Sequence, residues 1–113
     1  MKTTALIAAG CLLGMLASLS IGQNGDARAR GRAVFEQWCA PCHAPGPGHP
    51  GTQALDALYR GQKPGALESR TDLVPELTQT IVRSGVSVMP PFRKTEITDA
   101  ELAALAAYLA PAH

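Results

Sequence analysis

Apolar residues recur at helical spacing over most of the chain, and prolines and glycines break the pattern into separate elements. From about Ala27 to Cys39, Val34, Phe35 and Trp38 share one side while Arg28, Arg30 and Arg32 stay polar, which predicts a first helix. Gln23 to Asp26 read as a flexible lead-in to it. Thr52 is placed to cap a second, short helix through Tyr59, with Leu55, Leu58 and Tyr59 on one face and Gly61 at its end. A third helix is predicted over Asp72 to Ser84. Pro75 fits its first turn, Leu77, Ile81 and Val82 form its stripe, and Gly85 stops it. The last helix opens on a capping box, Thr98-Asp99-Ala100-Glu101, carries Leu102, Leu105, Ala106 and Leu109, and ends at Pro111. Residues 44–51, Ala-Pro-Gly-Pro-Gly-His-Pro-Gly, and residues 86–97, which include Met89-Pro90-Pro91-Phe92, read as loops. Strand-like alternation is almost wholly missing, so the expected class is a small all-α domain of three to four short helices with long, proline-marked loops.

The first residues follow a different pattern. Lys2 precedes an uncharged apolar run from Ala5 to about Ile21, and small residues Ser20 and Gly22 close it. That order is the order of a secretory signal peptide. The rival is an uncleaved membrane anchor, because the run approaches the roughly 20 apolar residues that span a bilayer. The abrupt polar stretch from Gln23 favours the signal peptide, giving 1–22 as leader and 23–113 as an exported, periplasmic domain free of the membrane. Cys11 follows Ala8-Ala9-Gly10, slightly like a lipoprotein site, but the apolar run continues past it, so it reads as a cysteine lost with the leader.

Of the 10 Lys and Arg and 9 Asp and Glu, Lys2 is the only charge within residues 1–22, so the exported domain is formally neutral. A neutral domain lacks the basic face that nucleic-acid binding requires. Two of the three cysteines remain, Cys39 and Cys42. A pair this close cannot staple distant parts of a small core, which leaves a role for a covalently bound cofactor.

Cys39-Ala40-Pro41-Cys42-His43 is the CxxCH signature of c-type haem attachment. Two thiols spaced by two residues can each form a thioether to one of the haem vinyl groups, and the adjacent histidine is carried beneath the ring to bind iron. A thiol–disulfide redox pair is one rival, but that motif belongs beside a βαβ pattern, and no strands are evident here. A zinc site is another. It wants four ligands, and only His49 and His113 could complete the set.

Haem iron in electron carriers commonly takes His and Met, and the thioether raises the potential. Met1 and Met15 lie in the leader, which leaves Met89 as the second axial candidate. Core filler is the plain reading of a lone Met, but a loop position before two prolines argues for a ligand. His49 lies six residues from His43, too near to cross easily to the opposite haem face, and His113 is the terminal residue. A ligating histidine usually has its other ring nitrogen held, and the carbonyls of Pro47 and Pro50 are the candidates for His43.

Gly31-x-x-x-Phe35, CxxCH at 39–43, Met89-Pro90 and Leu105-x-x-Tyr108-Leu109 together resemble class I cytochrome c over nearly all of residues 23–113. The resemblance implies a first and last helix that cross, with Gly31 allowing close approach and Phe35 packing on Leu105 and Tyr108, all wrapped around one haem. It also implies an electron-transfer protein, not a catalyst by itself. Residues 46–52 and 82–90 further resemble the small cytochrome subunits of flavocytochromes of the p-cresol methylhydroxylase and eugenol hydroxylase type. There a flavoprotein partner oxidises a 4-alkylphenol and passes electrons on. Other readings stay open: a freely diffusing carrier for another dehydrogenase or a terminal oxidase, and a haem enzyme or sensor with a labile sixth ligand. Arg60, Arg70, Tyr59 and Arg93 are candidate partners for the haem propionates.

Overall fold

Five α-helices follow one another in a computed structural model that describes residues 17–111: α1 Ala17–Val34, α2 Ala40–His43, α3 Pro50–Tyr59, α4 Pro75–Ser84 and α5 Asp99–Leu109. A 3-10 turn at Leu67–Ser69 links α3 to α4, and one isolated bridge, Val86 to Met89, is all the β pairing among the described residues. The all-α class expected from the sequence is the class observed. The leader, with Cys11, falls mainly on residues outside the described range, as does His113. Among the described residues no helix is long and apolar enough to cross a membrane.

The first helix differs from its expected form at both ends. It extends back through Gln23 to Asp26, where a lead-in was expected, and Arg30 pairs with Asp26 one turn earlier (2.6 Å). At its far end the α-helix widens into a π-turn, Phe35–Cys39, before resuming as α2. Pro41 explains this. It has no N–H to give the Gln37 carbonyl and its ring crowds the preceding turn. The chain relaxes by taking one extra residue per turn, so the Ala40 N–H reaches back to the Phe35 carbonyl.

The α3 start is also shifted. Pro50 takes the first helical position, with His49 before it. Thr52 is no cap: its hydroxyl donates to the Ala44 carbonyl (2.9 Å), pinning the proline–glycine loop to α3, and the residue is buried. Arg60 ends the helix in the left-handed region (φ 51°), just ahead of the expected Gly61. Helix α4 starts at Pro75 and not at Asp72, because a residue before proline is driven to extended backbone, and Val74 has ψ 148°. Of its expected stripe, Val82 is buried, Ile81 half-buried and Leu77 exposed. The α5 capping box forms as expected. The Glu101 N–H donates to Thr98 Oγ1 and the Thr98 N–H donates to Glu101 Oε2 (2.8 Å).

The core lies where α1 and α4 meet α5. Phe35, Ile97 and Leu105 are fully buried, joined by Val34, Cys39, Leu73, Val82, Leu102 and Leu109. Phe35 and Tyr108 rings lie 5.9 Å apart, tilted by 50°. A methyl group on Gly31 would enter the Ala104 carbonyl and stand 2.7 Å from Tyr108 Cβ, so glycine is what lets the two helices touch. The expected pairing of Gly31 and Phe35 with Leu105 and Tyr108 is therefore the observed one.

Candidate functional site

The π-turn and α2 form one short screw that ends at His43, and it presents the motif. Cys39 closes the π-turn and is buried; Cys42, a residue short of the end of α2, is exposed. Neither is in a disulfide. Burial, and then the neighbouring Cys42, push the Cys39 thiol up to about 11, so it stays protonated at neutral pH. A thiol–disulfide enzyme needs the opposite, a thiolate favoured near neutrality. The described residues also bring no group of three His, Cys, Asp or Glu together.

His43 is half-buried, and burial lowers its pKa, so the ring is neutral and carries a free lone pair. Its Nδ1 is buried with no hydrogen-bond partner. The expected carbonyls of Pro47 and Pro50 do not meet it. Pro50 opens α3, so its carbonyl is turned along that helix. Pro47 sits in an exposed turn between Gly46 and Gly48, both with positive φ. What does face the ring is Gly51, which by residue type alone signals only loop. A Cβ there would stand 2.6 Å from His43 Cε1, 2.8 Å from Nδ1 and 2.8 Å from the Cys42 carbonyl. Gly51 therefore leaves space for the imidazole edge, and Nδ1 lies buried on that side. His49 takes another role. Its Nδ1–H donates to the Pro41 carbonyl (3.1 Å), so it braces the motif from the same side of the chain.

Met89 lies in the α4–α5 loop, half-buried against the core cluster that contains Cys39. Val86 and Met89 exchange two backbone hydrogen bonds (3.1 and 2.9 Å) around Ser87, which takes φ 54°. Three residues on, Phe92 meets Trp38 edge to face, 5.9 Å between ring centres. Trp38 immediately precedes Cys39. The CxxCH screw and the Met89 loop, 46 positions apart between His43 and Met89, are thus tied by one aromatic contact.

Three of the four remaining candidates, Arg70, Tyr59 and Arg93, have partners within the chain. Arg70 is buried, donates to Asp72 (2.5 and 2.8 Å) and to the Tyr59 hydroxyl (3.0 Å), and lies over the Tyr59 ring. Lys63 covers the same ring and pairs with Asp72 (3.0 Å). Arg93 pairs with Glu96, and Arg60 is exposed. Arg70 first and Lys63 second hold the Asp72 carboxyl well below the usual carboxylate range. A depressed folded pKa stabilises the protein above the ordinary Asp range, and that stabilisation is lost as pH falls through and below it. Thermal unfolding followed from neutral to acid pH is expected to show a steeper loss below about pH 4 in the wild type than in Asp72→Asn. Parallel curves would show that the Arg70 cluster is not pH-linked.

The site fits a covalently attached haem. Two thiols are unbridged, a neutral imidazole follows them, its inner nitrogen is orphaned, and Gly51 leaves room for its edge. Apolar side chains on the flanking elements are exposed as well: Leu58 on α3, Leu77 on α4, and Val86 and Val88 beside Met89. The family model described as cytochrome c oxidase, cbb3-type, subunit III matches residues 26–109. The chain belongs to that family. No curated protein and no solved structure matches it. The matched range takes in the Gly31–Phe35 face, CxxCH, Met89 and all of α5, so the all-α fold is a small cytochrome c fold. Bound haem c supplies this cytochrome domain with an iron that changes oxidation state by one electron, and electron transfer is its role. Residue type alone gives Gly51 no role beside His43, because the prolines and glycines around it signal only irregular backbone, whatever they pack against.

Proposed function

We propose that the chain is an exported cytochrome carrying a single haem, held by thioethers from Cys39 and Cys42, with His43 and Met89 as axial ligands. The Trp38–Phe92 contact carries this reading, because it joins the segment before Cys39 to the segment after Met89. With Nδ1 of His43 buried beside Gly51, Nε2 is the ring nitrogen left for iron. Two protein ligands leave no position for substrate, so the protein passes electrons and does not transform a substrate of its own. Exposed Pro41, Val88, Pro90 and Pro91 mark the rim where a partner would approach the haem edge. Cleavage near residue 22 would release the domain into the periplasm.

The donor would be a dehydrogenase of the same compartment and the acceptor a component of the respiratory chain. The resemblance of residues 46–52 and 82–90 to flavocytochrome subunits supports a flavoprotein that oxidises a 4-alkylphenol as the donor. The description of the matching family favours a second reading, in which the partner is a terminal cytochrome oxidase. Optical redox titration of the purified exported protein tests the shared claim: a single reversible one-electron wave at positive potential is expected. A high-spin ferric spectrum that binds peroxide rapidly would point instead to a haem enzyme or sensor. Affinity capture from the native host separates the two readings, since a retained flavoprotein supports the first and a retained oxidase the second.

A further inference from the structure

We propose that Arg83 is a positioning residue that fixes Met89 by clamping the loop on its far side; this rests on Met89 being the axial ligand. The loop leaves α4 and returns to the same turn of that helix. On leaving, the Gly85 N–H donates to the Ile81 carbonyl (2.8 Å). On returning, the Phe92 N–H donates to the Val82 carbonyl (2.8 Å). Arg83 Nη1 then donates to the Phe92 carbonyl (3.1 Å). Both backbone polar groups of Phe92 are thereby held by adjacent residues of α4. Arg83 is itself oriented from the far side, because Nη2 donates to Asp99 Oδ1 (2.8 Å) at the first residue of α5.

Pro90 and Pro91 are all that separates Phe92 from Met89. Each has a locked φ and restricts the residue before it, Met89 included. Few soft torsions remain between the clamp and the thioether-bearing residue, so displacement at Phe92 passes to Met89. The fork geometry of a guanidinium matters here. One arm takes the carbonyl and the other the carboxylate, which a lysine ammonium cannot do in a fixed plane. An ordinary exposed Arg–Asp pair contributes little stability, and the clamp assigns Arg83 a different task.

The test uses oxidised holoprotein and two readouts that a purely structural staple would not move: the weak near-infrared Met–iron band, and the affinity for added imidazole. Arg83→Met is expected to weaken the band and tighten imidazole binding roughly tenfold or more, the scale of one charge-assisted hydrogen bond. Arg83→Lys is expected to fall between it and wild type. Thr98→Ala, which removes the α5 cap, should lower thermal stability and leave both readouts unchanged. An Arg83→Met protein with the wild-type band and imidazole affinity would overturn the clamp while leaving Met89 as ligand. If that variant yields no holoprotein, Asp99→Asn carries the test: a smaller shift in the same direction supports the clamp, and none overturns it. A wild-type protein without the band, matched by Met89→Ala, would overturn the ligand assignment and the clamp with it.

Discussion

Gly31→Ala is expected to destabilise the protein by about 2–3 kcal/mol, and Gly31→Val by more. The sign is the informative part. Inside a helix, alanine in place of glycine ordinarily stabilises by about 0.5–1 kcal/mol. Here the added carbon would stand 2.7 Å from the Ala104 carbonyl carbon and 2.7 Å from Tyr108 Cβ. Both obstacles belong to the backbone, or to the first side-chain atom, of α5, so no rotamer change relieves the clash. Helix α1 has to lift off, which opens space around the fully buried Phe35 and Leu105. Gly25, also in α1, is the internal control. A Cβ there would meet nothing within 4 Å, and Gly25→Ala should be neutral or slightly stabilising. Denaturant unfolding of the wild type and the two alanine variants decides. A Gly31→Ala protein as stable as Gly25→Ala would contradict the close crossing of α1 and α5.

Met89→Ala is the second large effect. Loss of the thioether removes the ligand that favours the reduced state, and axial ligands set haem potentials over a range of about 0.8 V. The potential is expected to fall by something on the order of 0.2 V, a fraction of that range. The variant should also bind imidazole or cyanide readily where the wild type resists. Its fold should persist, because Met89 is only half-buried and the Val86–Met89 bonds are backbone to backbone. Spectroelectrochemical titration of both proteins measures the shift. An unchanged potential would remove Met89 from the iron and leave the sixth position to another group.

Strong local chemistry made part of this molecule readable in advance. The capping box at Thr98 and Glu101 and the Gly85 stop each rest on a few neighbouring residues, and α5 begins and α4 ends where they allow. The α4 start, by contrast, lies at Pro75 and not at the expected Asp72, because Val74 before the proline is held extended. The Gly31, Phe35, Leu105 and Tyr108 contact was accessible only through family resemblance, since nothing local says which helix Gly31 will meet. The π-turn was not read because Pro41 announces a disturbance without saying how the chain absorbs it. Ile97, fully buried, sits in what reads as loop, and its burial comes from the core cluster it joins with side chains of α1, α4 and α5. Thr52 reads as a helix cap by residue type, yet its hydroxyl finds the Ala44 carbonyl across the loop. The orphaned Nδ1 of His43 belongs to the same group, for the expected carbonyls of Pro47 and Pro50 do not meet it. Local signals set identity and spacing at the motif, and tertiary packing decided which neighbours hold it.

Intact mass measured on the exported protein after full denaturation is the most direct test of covalent haem at Cys39 and Cys42. The expected result is one species heavier than the polypeptide by one haem, with the addition lost when both cysteines are replaced by alanine. Haem released on denaturation, or a polypeptide of unmodified mass with two free thiols, would contradict the assignment.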